Sequence, residues 1–337
     1  MTWYPETPRR AVQKPVTNKE KIAALFGNAL ILLVILFFAG PIAKIDTHLK
    51  MLALPNDLDL YLKQTEARFS DIVPGAEKTI IWANAAKTKT PFSIVYLHGY
   101  SATRQETAPL SDQIAAQLGA NLMYTRLTGH GRSETAMAEP TVNDWLNDTA
   151  EALAIGKRLG DKVIVIGTST GGTLATWLAE QPNTEAVVAY VLLSPNYAPK
   201  ERMSELLAWP WGEQVAAFFV GPEYSWTPVN EQQAKYWTHR YPSKALVPMM
   251  GLVKFVRESK LENIHTPVLV IYSPNDKVIN VEQVERAYSR MGARMKAIKP
   301  ITYKVNYLNH VLAGNILAPE NTAAVATLIV DFVSSLK

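Results

Sequence analysis

The stretch "VIVIGTSTGG", residues 163–172, constrains this chain more than any other. Four apolar residues run into a glycine, a serine follows between small residues, and a glycine pair closes the turn. An uninterrupted apolar run of this kind is a strand buried on both faces, which calls for a parallel sheet covered by helices. The next residues, "GTLATWLAEQ", have helical composition, so the chain passes from strand to helix within a few residues. A reversal that tight is strained, and small neighbours let the two backbones pass close together. Ser169 at its tip is a candidate nucleophile.

The same alternation extends along the chain. Strand-like "TIIWA" (79–83) and "FSIVYLHGY" (92–100) precede a helical stretch to about Leu118, and "NLMYTRL" (121–127) follows. Residues 143–160 read as a helix with Asn143 as N-cap and Gly160 as its stop. After the elbow come strands "AVVAYVLLSP" (186–195) and "PVLVIYSP" (267–274), a helix near 281–291, strand "ITYKVNYL" (301–308), and a last helix from about Asn321. The expected fold class is α/β, a mostly parallel sheet with helices on both faces. Between Pro195 and Pro267, about seventy residues lack a convincing core strand and are rich in tryptophan and tyrosine. They read as a helical insertion at about 196–266 lying over the sheet edge, most aromatics forming its own small core and a few facing a site below.

The N-terminus is of a different kind. "IAALFGNALILLVILFFAGPIA", Ile22–Ala43, carries no charge, and at about 1.5 Å per helical residue it reaches roughly 30 Å, the thickness of a bilayer core. Arg9, Arg10, Lys14, Lys19 and Lys21 precede it, and Lys44 and Lys50 follow among Asp46, Asp57 and Asp59. The expectation is an uncleaved transmembrane anchor over 22–43, with residues 1–21 cytoplasmic and the remainder outside, in a bacterial periplasm. A cleaved signal peptide is the competing reading; the long apolar run, the long basic segment and Pro41 argue against it. Residues 44–74 then form a connecting segment with a helix in 56–72, and 75–337 the main domain.

Composition excludes several classes. The net charge of +4 is modest, and no stretch interleaves basic and aromatic residues as a nucleic-acid reader would. Cysteine is absent, which removes disulfides, thiolate metal sites and a cysteine nucleophile. No metal and no cofactor are expected.

"GTSTG" fits G-x-S-x-G between a strand and a helix, the context of a nucleophile elbow. A serine hydroxyl needs a base. Of the six histidines, His48 hugs the apolar span, His98 and His130 precede Ser169, His239 lies in the insertion, and His265 stands before its strand. Only His310, in "YLNHVL", follows the last strand, as the order serine, acid, histidine requires. The acid is Asp276 in "YSPNDKVI", the sole aspartate between Asp161 and Asp331, with Glu282 and Glu285 as fallbacks in the next helix. Its carboxylate would hold the imidazole's tautomer and stabilise the imidazolium. Two backbone N–H groups would face the developing oxyanion: that of Thr170, and that of Tyr100 in the "LHGY" turn.

"HGY", "RLTGHGRS", "DWL", "GTSTGG", "SPNDKVI" and "NHVL" occur in the order and at roughly the spacing of α/β-hydrolases. Residues 75–337 most resemble bacterial carboxylesterases and monoacylglycerol lipases of the proline-aminopeptidase-like branch. The resemblance implies an α/β-hydrolase fold, Ser169, Asp276 and His310 as a triad, and the insertion as a lid. It also implies an ester or lipid substrate, such as a monoacylglycerol or another short-to-medium-chain ester. The chain departs from the commonest elbow, in which methionine follows the serine; Thr170 stands there instead. "GHG" at 129–131 reads as structural. The rival readings differ in acceptor or substrate. A peptidase of the same branch would use lid acids, among Glu201, Glu205, Glu213, Glu223 and Glu231, to hold an amine, and an acyltransferase would exclude water. An epoxide hydrolase or dehalogenase would need aspartate in place of Ser169. A membrane-tethered binding protein would normally have lost a triad member.

Overall fold

The computed structural model describes residues 1, 3, 17–303 and 305–336. It divides into two bodies, Met1–Pro41 and Ile42–Lys337. The first is carried by one helix, α1 (Asn18–Phe38), whose stretch Lys21–Phe38 is long and apolar enough to cross a membrane. Its bounds differ from the predicted span over 22–43. The helix begins at Asn18 and ends at Phe38, because Gly40 and Pro41 cannot continue it. Lys19 and Lys21 lie within the helix, whereas Arg9, Arg10 and Lys14 fall outside the described residues.

In the second body the strands run in chain order β1 (Thr79–Ile81), β2 (Thr90–Leu97), β3 (Asn121–Tyr124), β4 (Gly160–Thr168), β5 (Val187–Leu193), β6 (Glu223–Ser225), β7 (Arg240–Pro242), β8 (Val268–Tyr272) and β9 (Lys296–Pro300). Seven of them make one sheet, ordered β1-β3-β2-β4-β5-β8-β9, parallel throughout except for β1. The period-two geometry of a strand sends alternate apolar residues to opposite faces. Ile94, Tyr96, Ile164, Ile166, Val191 and Leu269 therefore meet α3 (Leu110–Leu118) and α10 (Thr322–Ser334) on one face. Val95, Leu97, Val163, Val165, Leu192 and Val270 meet α4 (Val142–Leu159), α5 (Thr170–Ala179) and α9 (Val281–Arg290) on the other.

Two local readings of the sequence are corrected. The cap of α4 is Thr141, not Asn143: Thr141 and Asp144 form a reciprocal capping box, each side chain taking the other's backbone N–H. Asn143 instead ties down the preceding segment, its Nδ2 donating to the carbonyls of Asp46 (2.8 Å) and His48 (2.9 Å). The helix expected in 56–72 is α2 (Leu58–Glu66), and it packs into the domain. Leu58 and Leu62 of α2 enter the core, and Glu66 forms a bidentate pair with Arg126 at 2.7 and 2.8 Å. Finally, the described residues of 301–308 form no strand; the last strand is β9. Asn306 Oδ1 takes the N–H groups of Leu308 (3.0 Å) and Asn309 (2.7 Å), a local alternative that outcompetes a ladder.

The insertion holds α6 (Gly212–Phe219), α7 (Glu231–Tyr236) and α8 (Leu246–Arg257), and also a feature absent from the sequence reading, an antiparallel β6–β7 pair whose connection contains α7. Ala43 and Ile45 lie against Gly251 of α8.

Candidate active site

β4 delivers Ser169 to the carboxyl end of the sheet, with φ 53° and ψ −117°. This is strained for a residue with a side chain, and such strain persists only where surroundings enforce it. Here the Ser169 N–H donates to Leu193 O at 2.9 Å, and its carbonyl accepts from Thr173 N–H at 3.1 Å and Asn196 N–H at 3.0 Å. The flanking glycines are obligatory for steric reasons. Any side chain at Gly171 would strike the carbonyls of Leu97 and His98, and one at Gly167 would strike the carbonyl of Gly171.

Asp276 follows β8 and is held by two backbone donors, Val278 N–H (2.7 Å) and Ile279 N–H (3.1 Å), both on Oδ1. Its other oxygen, Oδ2, lies 2.7 Å from His310 Nδ1. The fallback acids do not reach His310: Glu282 is exposed on α9, and Glu285 accepts from Tyr272 O–H at 2.7 Å. Burial disfavours the imidazolium of His310, but the Asp276 charge and hydrogen bond, with a further contribution from Glu106, more than offset it and raise its pKa above 6.5.

Ser194 links histidine to serine. It follows Leu193, the acceptor for Ser169, and its Oγ donates to His310 O at 2.8 Å, which fixes the histidine backbone. His310 itself stands on a loop built by side chains: Asn309 has φ 55° and accepts Val305 N–H at 2.9 Å, and Asn306 Nδ2 donates to Val311 O at 2.7 Å. Neither Ser194 nor these asparagines were singled out from the sequence; the only signal was a Ser-Pro pair ending an apolar run.

The "LHGY" turn sits beside the elbow, since a Cβ on Gly99 would lie 3.3 Å from Ser169 Cβ. His98 orients the turn. Its Nε2 accepts from Leu127 N–H (3.0 Å), so Nδ1 carries the proton and donates to Gly99 O (2.9 Å). Burial first, then His130, keeps His98 neutral, as that tautomer requires. With the Gly99 carbonyl taken on one side, the Tyr100 N–H of the same peptide points to the other. Among the described residues, neither Tyr100 N–H nor Thr170 N–H donates to any group, so both expected oxyanion donors are free. His130 is a packing residue, stacked near His98, Tyr100 and Trp145 and pushed down to about 4 by burial.

The insertion covers this corner. Thr238 N–H donates to Ser101 O at 2.7 Å, and Tyr100 O–H to Ala245 O at 2.7 Å. Trp237 packs with Ala102 and Val311, one neighbour from the oxyanion turn and one from the histidine loop. Phe218 and Phe219, by contrast, are 81% and 64% exposed.

A parallel sheet whose fourth strand ends in a strained serine elbow, with a His–Asp pair from later loops, defines an α/β-hydrolase. The chain belongs to the family described as serine aminopeptidase, S33, whose model matches residues 88–304. It is 25% identical over 211 residues to the thermostable monoacylglycerol lipase of Bacillus sp. (strain H-257), covering 62% of this chain and 80% of that protein. Among solved structures, it resembles a chain from work on LipS and LipT, two metagenome-derived lipolytic enzymes, with TM-score 0.62, 20% identity, and 78% and 99% of the two chains covered. The monoacylglycerol lipase of Paleococcus ferrophilus gives TM-score 0.56 at 17% identity, over 77% of this chain and 100% of that one.

Proposed function

We propose that this chain is a serine carboxylic-ester hydrolase acting through an acyl-enzyme on short-to-medium-chain esters such as monoacylglycerols. The observation that carries the reading is the 2.7 Å Asp276–His310 contact together with a serine held in the strained elbow conformation, the two joined through Leu193 and Ser194. Ser169 Oγ attacks the ester carbonyl while His310 Nε2 takes its proton, and Asp276 stabilises the imidazolium. The oxyanion forms against the N–H groups of Tyr100 and Thr170. His310 then protonates the leaving alcohol, and water, deprotonated by the same imidazole, releases the acid. The lipolytic relatives support an acyl substrate. The insertion's acids offer less to a peptide amine: Glu205 is paired with Arg257, Glu223 with Arg240, and Glu201 caps Met203 N–H. In the same proposal α1 (Asn18–Phe38) is an uncleaved anchor, with the residues before it cytoplasmic and the catalytic domain in the periplasm. The decisive comparison sets p-nitrophenyl esters of graded chain length against aminoacyl-nitroanilides. Turnover of butyrate and caprylate esters is expected; turnover of the nitroanilides alone would replace this reading with a peptidase.

A further inference from the structure

The serine–histidine–aspartate scheme leaves one carboxyl of this corner without a task. Glu106 ends the 3₁₀ turn Arg104–Glu106 that follows the oxyanion turn, and it is only 2% exposed. A carboxyl that buried needs partners. Its Oε1 accepts from Gly99 N–H at 2.6 Å and from Tyr96 O–H at 2.8 Å, and the Tyr96 oxygen is also 3.1 Å from Thr168 Oγ1, next to the nucleophile. Its Oε2 has no hydrogen-bond donor among the described residues. The space at Gly99 shows where Oε2 sits: a Cβ there would lie 2.9 Å from it and 3.3 Å from Ser169 Cβ, so carboxyl and nucleophile flank one point. The histidine loop closes the other side, since a Cβ on Gly314 would lie 2.7 Å from the Glu106 carbonyl, and Asn315 N–H donates to Ala108 O at 2.9 Å.

We infer that Glu106 is a positioning residue of this site: it holds the oxyanion turn against Ser169 through Gly99 N–H, and its charge supports, with Asp276, the imidazolium that His310 becomes. The inference rests on the ester-hydrolase reading. The groups facing Glu106 are Tyr96 from β2 and His310 from the loop after β9, while Arg104 of its own turn lies over the Tyr124 ring. Asp276 faces His310 from the loop after β8, and beyond the oxyanion turn lie His98, His130 and Arg126. Burial pushes Glu106 up to about 7, although Gly99 N–H, Tyr96 O–H and His310 each pull it back. Its charge, and the support it gives, is present above that range and lost below it.

Glu106→Gln separates the two roles, because an amide oxygen still accepts from Gly99 and Tyr96 while the charge is gone. The test is the pKa of His310, followed by the NMR resonances of its imidazole in full-length protein in detergent, with the pH dependence of fluorophosphonate labelling alongside. In Glu106→Gln the His310 pKa should fall by roughly half a unit to one unit, and the acid limb of labelling should move down with it. Glu106→Ala, which also frees Gly99 N–H, should slow labelling about tenfold or more at every pH. In wild-type protein the His310 curve should carry a second inflection from Glu106; that curve serves as the test if the variant does not fold. A His310 titration unchanged in folded Glu106→Gln, or single and simple in wild type, overturns the inference. Failure to hydrolyse esters counts against the ester-hydrolase reading instead, and leaves the NMR result to decide this one.

Discussion

Replacing Asp276 by asparagine changes almost nothing in shape and nearly everything in the histidine. Oδ1 of Asp276 takes two backbone N–H groups at 2.7 and 3.1 Å, so the amide oxygen of Asp276→Asn is held on that side. The amide nitrogen, a donor, then faces His310 Nδ1, where the carboxylate Oδ2 accepts at 2.7 Å. The imidazole answers by protonating Nε2, the nitrogen that must receive the Ser169 proton, and the imidazolium loses its counter-charge. Such a wrong-tautomer site loses about ten-thousand-fold in kcat, and at about 1.36 kcal/mol per decade that is about 5.4 kcal/mol of transition-state stabilisation. Folding should be little affected, since both backbone bonds survive. The assay is p-nitrophenyl butyrate hydrolysis by full-length protein in detergent near pH 8, with a thermal melt as control. Activity within tenfold of wild type would refute the reasoning.

Gly171→Ala should cost about 3 kcal/mol or more and abolish activity, because its methyl meets the fixed carbonyls of Leu97 and His98, which denaturant titration would read. The acid limb of kcat/KM should lie above pH 6.5: only neutral His310 is a base, its pKa is raised, and activity falls about tenfold per unit below that pKa; a limb below 6.5 would contradict this.

The sheet, the elbow and the candidate site residues were legible because each carries a local constraint. An apolar run into G-x-S-x-G admits few backbones, and Asp276 and His310 stood out as a lone aspartate and a histidine past the last strand. Residues whose role depends on distant packing were not legible. Glu106 reads as a polar position in a helical stretch until the fold brings Gly99 N–H and Tyr96 O–H onto it. Ser194 has meaning only through the His310 carbonyl, a contact between two loops far apart in sequence. The false strand over 301–308 shows the same limit, since its alternation imitates a half-buried strand while the Asn306 side chain satisfies the backbone locally. The cap of α4 was missed by two residues, within the ordinary uncertainty of helix ends.

The central claim is that Ser169 forms the acyl-enzyme. Full-length protein treated with a fluorophosphonate, digested and mapped by tandem mass spectrometry should carry one adduct, on Ser169, and Ser169→Ala should carry none while losing about four to six orders of magnitude in ester turnover. An adduct on another residue, or undiminished turnover in folded Ser169→Ala, would contradict the account.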